Sequence, residues 1–76
     1  MNKLRRSRIE KLMERLEDLK SDLEEIKDEE EEAMENMPEG LQESERYQMM
    51  EEAVDNLSSA FDSLEEAMDY LQEASA

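Results

Sequence analysis

Two runs of apolar residues, each with the alternating steps of three and four that define a coiled-coil seam, constrain this chain more than any other feature. The first run is interrupted only by Glu30 and contains Ile9, Leu12, Leu16, Leu19, Leu23, Ile26, Ala33 and Met37. The second contains Tyr47, Met50, Val54, Leu57, Phe61, Leu64, Met68 and Leu71. Repeats of this length predict two long helices.

The segment between the two runs holds the only proline and the only glycine of the chain. Pro38 disfavours helix at the residue before it, Gly40 tolerates positive φ, and Ser44 is a suitable N-cap for a second helix. The apolar pattern also changes phase here, which argues against one continuous rod. We therefore predict helix 1 over residues 3–36, a turn over 37–43 and helix 2 over 44–74, in one domain spanning 1–76.

The register of the two helices follows from arithmetic, because facing residue numbers in an antiparallel pair have a constant sum. Ile9 with Leu71, and Leu23 with Leu57, sum to 80, as do the other pairs of the two runs. This sum centres the turn on Gly40, where the turn residues lie. The predicted fold class is all-α, an antiparallel two-helix coiled-coil hairpin about 45–50 Å long at about 1.5 Å per residue.

A chain of 76 residues without cysteine or histidine has no disulfide and no common zinc site to stabilise it, which leaves oligomerisation. Beside the seam of helix 2 runs an alanine column, which suits close approach of a second copy, although alanine is also simply a good helix former. The column is Ala53, Ala60, Ala67 and Ala74, where helix 1 has Arg8, Arg15, Asp22 and Glu29. We expect a homodimeric four-helix bundle. The self-association residues would be Ala53, Val54, Leu57, Ala60, Phe61, Leu64, Ala67, Met68 and Leu71.

Charge is unevenly distributed along the chain, which carries 24 acids, 9 bases and a net charge of −15. Residues 1–20 have seven bases and four acids, whereas residues 21–76 have two bases and twenty acids. In a hairpin, the bases Arg5, Arg6, Arg8, Lys11 and Arg15 would neutralise Asp62, Glu65, Glu66, Asp69 and Glu73, and this favours antiparallel pairing. Nucleic-acid binding by Lys3 to Arg8 is an alternative, but no aromatic residues interleave that cluster. We predict no direct nucleic-acid partner.

The turn-proximal half, residues 21–59, carries fifteen acids against Lys27 and Arg46. Its net −13 over about 28 Å is roughly one charge per 2 Å, and duplex DNA carries about one per 1.7 Å. A nucleic-acid mimic that binds a basic enzyme is therefore one hypothesis, and a solvated acidic surface is the other. Candidate partner-binding residues are Asp28, Glu29, Glu31, Glu32, Met34, Met37, Leu41, Tyr47 and Met49; the methionines could equally cap the hairpin end.

Catalysis is not expected, because no histidine accompanies the serines, no EF-hand spacing is present, and a two-helix hairpin has no cleft. No cofactor and no metal are predicted. Glu30 either loosens one layer of the seam or fixes its register or a contact. The sequence has no apolar run long enough for a membrane helix, and its basic start is not followed by an apolar signal region, so we expect a cytoplasmic protein without a membrane partner.

The turn motif from Met37 to Arg46, MPEGLQESER, lies between an acidic leucine-rich helix and an Ala-Leu-Asp-Glu-rich one. In this it resembles short uncharacterised acidic helical proteins of phages and integrated mobile elements of Gram-positive bacteria. The resemblance implies a bacterial or phage cytoplasm and an inhibitor of a host or defence protein, and it carries over no catalytic residues. The sequence thus predicts a non-enzymatic acidic protein-interaction module. The alternative is a purely structural oligomerisation or scaffold bundle.

Overall fold

The computed structural model describes residues 1–76 as two long helices packed against each other as a hairpin. Helix α1 spans Lys3–Glu35, a short 3-10 turn spans Glu39–Leu41, and helix α2 spans Glu45–Ala74. The predicted all-α hairpin is confirmed, and each helix has the predicted bounds to within one residue. A four-helix bundle requires a second copy and stays a prediction.

Both helices begin at a polar side chain that accepts a backbone hydrogen bond. Asn2 caps α1 by accepting from the amide of Arg5 at 2.8 Å, and Ser44 caps α2 by accepting from the amide of Tyr47 at 3.2 Å. The Ser44 hydroxyl also donates to the carbonyl of Leu41. Each cap satisfies an amide that would otherwise have no partner in the first turn. Ser44 therefore ties the turn to the start of α2.

The turn is a compact 3-10 segment in which no residue has a positive φ. Pro38 opens it, and the amide of Leu41 donates to the Pro38 carbonyl at 2.8 Å. The side-chain amide of Gln42 donates to the carbonyl of Met37 at 3.3 Å. The freedom of Gly40 to adopt positive φ, which the sequence suggested as its role, is thus not used.

The molecule is a rod of 59 × 15 × 12 Å with almost no interior. Only Val54 and Met68 are buried, with 9% and 8% of their surface exposed. The rod is longer than the predicted 45–50 Å because the 33 residues of α1 alone span about 50 Å, and the turn and chain ends extend beyond them. Neither helix offers a stretch long and apolar enough to span a membrane.

Helix α2 turns the predicted residues toward α1, since its eight seam residues from Tyr47 to Leu71 are all buried or half-buried. Helix α1 does not. The half-buried seam residues of α1 are Ile9, Met13, Leu16, Lys20, Leu23, Lys27, Glu30 and Met34, and the series continues with Met37 in the turn. Every second predicted seam residue of α1 is thus replaced by the residue that follows it. Leu12, Leu19 and Ile26 are instead 39%, 58% and 53% exposed, so their predicted place in the seam is wrong.

The shift from the Leu12, Leu19 and Ile26 column to the next one amounts to a rotation of α1 about its own axis. Two lysines that suit a half-buried position explain this rotation. The ammonium groups of Lys20 and Lys27 lie 5.4 and 5.8 Å from the centre of the Phe61 ring. Lys20 also pairs with Glu65 at 3.4 Å. Their alkyl chains cover apolar surface while the charges reach water and the face of the ring. This column of α1 therefore packs against α2, and the leucine column is left outside.

Candidate functional site

The two long sides of the hairpin differ in chemistry, and shallow depressions show which residues share a side. One depression is lined by Met13, Glu17, Lys20, Glu65, Met68, Asp69 and Gln72. On the other side, a second depression is lined by Glu30, Ala33, Arg46, Met49 and Met50. Residues seven apart lie in one column of a coiled-coil helix. Leu12, Leu19 and Ile26 therefore lie on the side of Ala33, together with the alanine column that continues from Arg46.

This second side forms an exposed surface without a charge along α2, in a chain that is 43% charged. On α2 the stripe has the helical steps of three and four and consists of Met49, Ala53, Asn56, Ala60, Ser63, Ala67, Tyr70 and Ala74. On α1 it is continued by Leu12, Leu19, Ile26 and Ala33. We call these twelve residues the uncharged face. Met49 and Tyr70 are 63% and 64% exposed, so the face is open along its length.

The residues predicted for self-association fall into two groups. Three alanines, Ala53, Ala60 and Ala67, lie on the uncharged face, and the first is half-buried while the other two are exposed. The remaining six pack toward α1: Val54, Leu57, Phe61, Leu64, Met68 and Leu71. Sequence reasoning missed Leu12, Leu19 and Ile26 as surface residues. Their exposure could have been anticipated from the neighbouring heptad column of Met13, Lys20, Lys27 and Met34, which can occupy the seam in their place.

A column of charges borders the uncharged face on α1. Arg8 and Arg15 share a depression with Leu12, and Asp22 and Glu29 continue the same column at the heptad interval. The column thus reads two positive charges followed by two negative ones. Beside the two arginines, α2 offers alanines rather than acids, because the hairpin register places the column from Ala67 to Ala74 at that level.

The predicted neutralisation of the basic start by α2 is not observed. No ion pair within 4.0 Å involves Arg5, Arg6, Arg8, Lys11 or Arg15. The ion pairs of the chain are those of Lys20 with Glu65 at 3.4 Å and with Glu17 at 3.9 Å. Arg8 and Arg15 instead lie beside the alanine column of α2, whereas Lys20 of the seam lies opposite Glu65.

The acidic turn-proximal half, residues 21–59, is unneutralised, because none of its fifteen acids forms an ion pair. Among the candidate partner-binding residues, Asp28, Glu29 and Glu32 are exposed and Glu31 is half-buried. Met34, Met37 and Tyr47 are half-buried and close the end of the seam. Leu41 and Met49 are 50% and 63% exposed. The tip of the hairpin therefore combines exposed carboxylates with two exposed apolar side chains.

Glu30 is half-buried within the α1 seam and makes no side-chain hydrogen bond or ion pair. No side-chain oxygen or nitrogen of the chain is buried without a partner, so the Glu30 carboxylate reaches solvent. It lines the depression that also contains Arg46 and Met50. Its position at the edge of the uncharged face avoids the cost of a buried, unpaired charge.

The depressions on the hairpin are shallow and open to solvent. No group of three or more acids is arranged to hold a metal ion, and the depressions are open grooves along the rod. Two surfaces of the hairpin stand out by their chemistry, the acidic half and the uncharged face. Comparison with protein-family models, curated proteins and solved structures yields no match to this chain.

Proposed function

We propose that this chain is a non-enzymatic protein-interaction module that binds a basic surface of another protein through residues 21–59. The observation that carries this proposal is the complete lack of ion pairs among the fifteen acids of that half. Charges that are not neutralised within the chain are available to a partner, and they increase the rate at which an oppositely charged surface is encountered.

The partner that fits this half is a protein with a groove for nucleic acid. The charge density of about one per 2 Å approaches that of duplex DNA, at about one per 1.7 Å. A mimic of DNA binds the lysines and arginines of such a groove and competes with the nucleic acid. The resemblance of the turn motif to phage and mobile-element proteins supports an inhibitor of a host or defence enzyme in a bacterial cytoplasm.

Charge alone does not select one basic protein among many, and the hairpin tip supplies an apolar element. Leu41 and Met49 are exposed beside the acids of the tip. A thioether and a leucine adapt to shallow apolar pockets, and their burial provides contact energy that does not fall with salt. The proposed contact therefore consists of acids along the rod and an apolar anchor at its end.

The test is displacement of a fluorescent DNA duplex from basic DNA-processing enzymes, such as a restriction nuclease and a bacterial RNA polymerase. The chain is expected to displace the duplex from at least one enzyme of the panel, less effectively as salt rises. The variant Asp28→Asn, Glu31→Gln, Glu32→Gln is expected to lose this activity. A matched variant, Asp62→Asn, Glu66→Gln, Asp69→Asn, removes the same charge from the other end and should retain it. Equal loss in both variants, or displacement unaffected by salt, would contradict the proposal.

A second candidate function is a structural bundle that serves to oligomerise or scaffold. The exposed uncharged face favours it, since solvated charge alone does not require an uncharged stripe along α2. In that case the chain self-associates and displaces no duplex from any enzyme of the panel. The two functions are thus separated by the same experiment.

A further inference from the structure

The hairpin exposes more surface than a compact protein of its mass. Its accessible area is 6059 Å², whereas a folded monomer of 9.0 kDa has about 4,900 Å². The excess is roughly 1,200 Å² per chain, or roughly 2,400 Å² for two chains, and stable homodimers bury about 2,000–5,000 Å². Leu12, Leu19 and Ile26 belong to this excess. The excess accessible area is therefore of the size that dimerisation with a second chain would bury.

We infer that a second copy of this chain covers the uncharged face, with its turn at the opposite end of the rod. In this arrangement α1 packs antiparallel to α1 of the second copy, and α2 packs antiparallel to α2. This inference does not depend on the acidic half binding a basic partner, because it rests on the exposure and charge pattern of the uncharged face, although Met49, Asp22 and Glu29 contribute to both surfaces.

The charge column of α1 selects the antiparallel order. When the α1 helices run in opposite directions, Arg8 of each copy lies beside Glu29 of the other, and Arg15 lies beside Asp22. With both turns at the same end, a two-fold axis would instead place α1 of each copy over α2 of the other, where the alanine column from Ala67 to Ala74 offers Arg8 and Arg15 no acid. Opposite charges that flank a helix contact determine orientation, and like charges exclude it. The same register places Leu19 against Leu19 of the second copy and Leu12 against Ile26.

The α2 part of the uncharged face is complementary in side-chain size to a reversed copy of itself, and the centre of that pairing lies at the same level of the rod as the centre of the α1 pairing. Its antiparallel pairing sets Met49 against Ala74 and Ala53 against Tyr70, so that each large side chain meets an alanine. Alternation of large and small residues lets two helices pack closely. This pairing is centred between Phe61 and Asp62, and the hairpin register places that point beside Leu19 of α1. The two helices thus specify one common two-fold axis from unrelated features, charge on α1 and size on α2.

The ends of the rod support the same order. The first turn of α1 is basic and its last turn has no base, the reverse of what the helix dipole favours. An antiparallel copy places the basic start of each α1 beside the acidic end of the other. A bundle with both turns together would instead bring two halves of net −13 into contact. Charge complementarity therefore identifies the occupant of the face as a reversed copy of the chain.

The test is sedimentation equilibrium of the full chain and four variants, with helicity checked by circular dichroism. The chain is expected to be a dimer at micromolar concentration. Arg15→Glu and Asp22→Arg should each raise the dimer dissociation constant about tenfold, since each turns two attractive pairs into repulsive ones. The double variant, Arg15→Glu with Asp22→Arg, should return to within about threefold of the unchanged chain by the same reasoning.

Arg6→Glu is the matched control, because it changes the net charge as Arg15→Glu does but lies off the uncharged face. It should shift the dissociation constant much less than Arg15→Glu. A helical monomer at these concentrations would overturn the inference. So would a double variant as weak as the single ones, or an Arg6→Glu effect equal to that of Arg15→Glu.

Discussion

The ammonium group of Lys20 lies 5.4 Å from the centre of the Phe61 ring, in the seam of the hairpin. Only 21% of the Lys20 side chain is exposed, although the seam pattern assigned this level of α1 to Leu19. A lysine that covers an aromatic ring from within the seam forces the neighbouring leucine outward. This contact therefore links the packing of the hairpin to the exposure of its uncharged face.

The contact predicts a measurable coupling between the lysine and the ring. Lys20→Met keeps the alkyl chain and Phe61→Leu keeps an apolar side chain, so each removes the cation–π contact with little change in volume. In a double-mutant cycle of urea unfolding, we expect a coupling free energy of about 0.5–1 kcal/mol. Lys11→Met, at an exposed position of α1, serves as a control and should be additive with Phe61→Leu. Additive effects for the Lys20 pair would contradict a stabilising contact.

The turn predicts that Gly40 can be replaced with a gain in stability. Gly40 has no positive φ, and a Cβ atom at this position would meet nothing within 4 Å. Gly40→Ala should raise the free energy of unfolding by about 0.4–1 kcal/mol, because alanine restricts the unfolded chain. Urea denaturation measures the change. A loss of stability would indicate that the turn uses a conformation reserved for glycine.

The rotation of α1 predicts different roles for two leucines that the sequence pattern treats alike. Leu23 is half-buried against α2, whereas Leu19 is 58% exposed. At concentrations low enough to populate the monomer, Leu23→Ala should lower the free energy of unfolding by about 2 kcal/mol. Leu19→Ala should change it by less than about 0.5 kcal/mol. Equal losses of unfolding free energy for the two variants would indicate that Leu19 packs in the seam and would contradict the rotation of α1.

The sequence predicts the hairpin well because its signals are redundant. The two heptad runs, the change of phase and the turn residues from Pro38 to Ser44 agree on two helices and one reversal. The α2 seam is also correct, since its neighbouring columns offer only alanines on one side and polar residues on the other. Local patterns thus suffice where a single column can occupy the seam.

The rotation of α1 could not be read from the apolar pattern. Ile9, Leu16 and Leu23 belong to the seam with either neighbouring column, the one of Leu19 or the one of Lys20. Hydrophobicity favours the first, and long lysine side chains over Phe61 make the second possible. The choice depends on contacts between helices that a pattern along one helix does not contain. The same limit explains why the arginines were expected to pair with α2.

The central claim, that a reversed second copy covers the uncharged face, is tested most directly by disulfide formation, since the chain has no cysteine of its own. Leu12→Cys and Ile26→Cys chains, mixed under mild oxidation, should form a mixed disulfide rapidly. Leu12→Cys alone should not form one, because its two copies of residue 12 would lie about 21 Å apart along the rod, too far for a disulfide. Rapid self-linking of Leu12→Cys, with no mixed product, would contradict the arrangement.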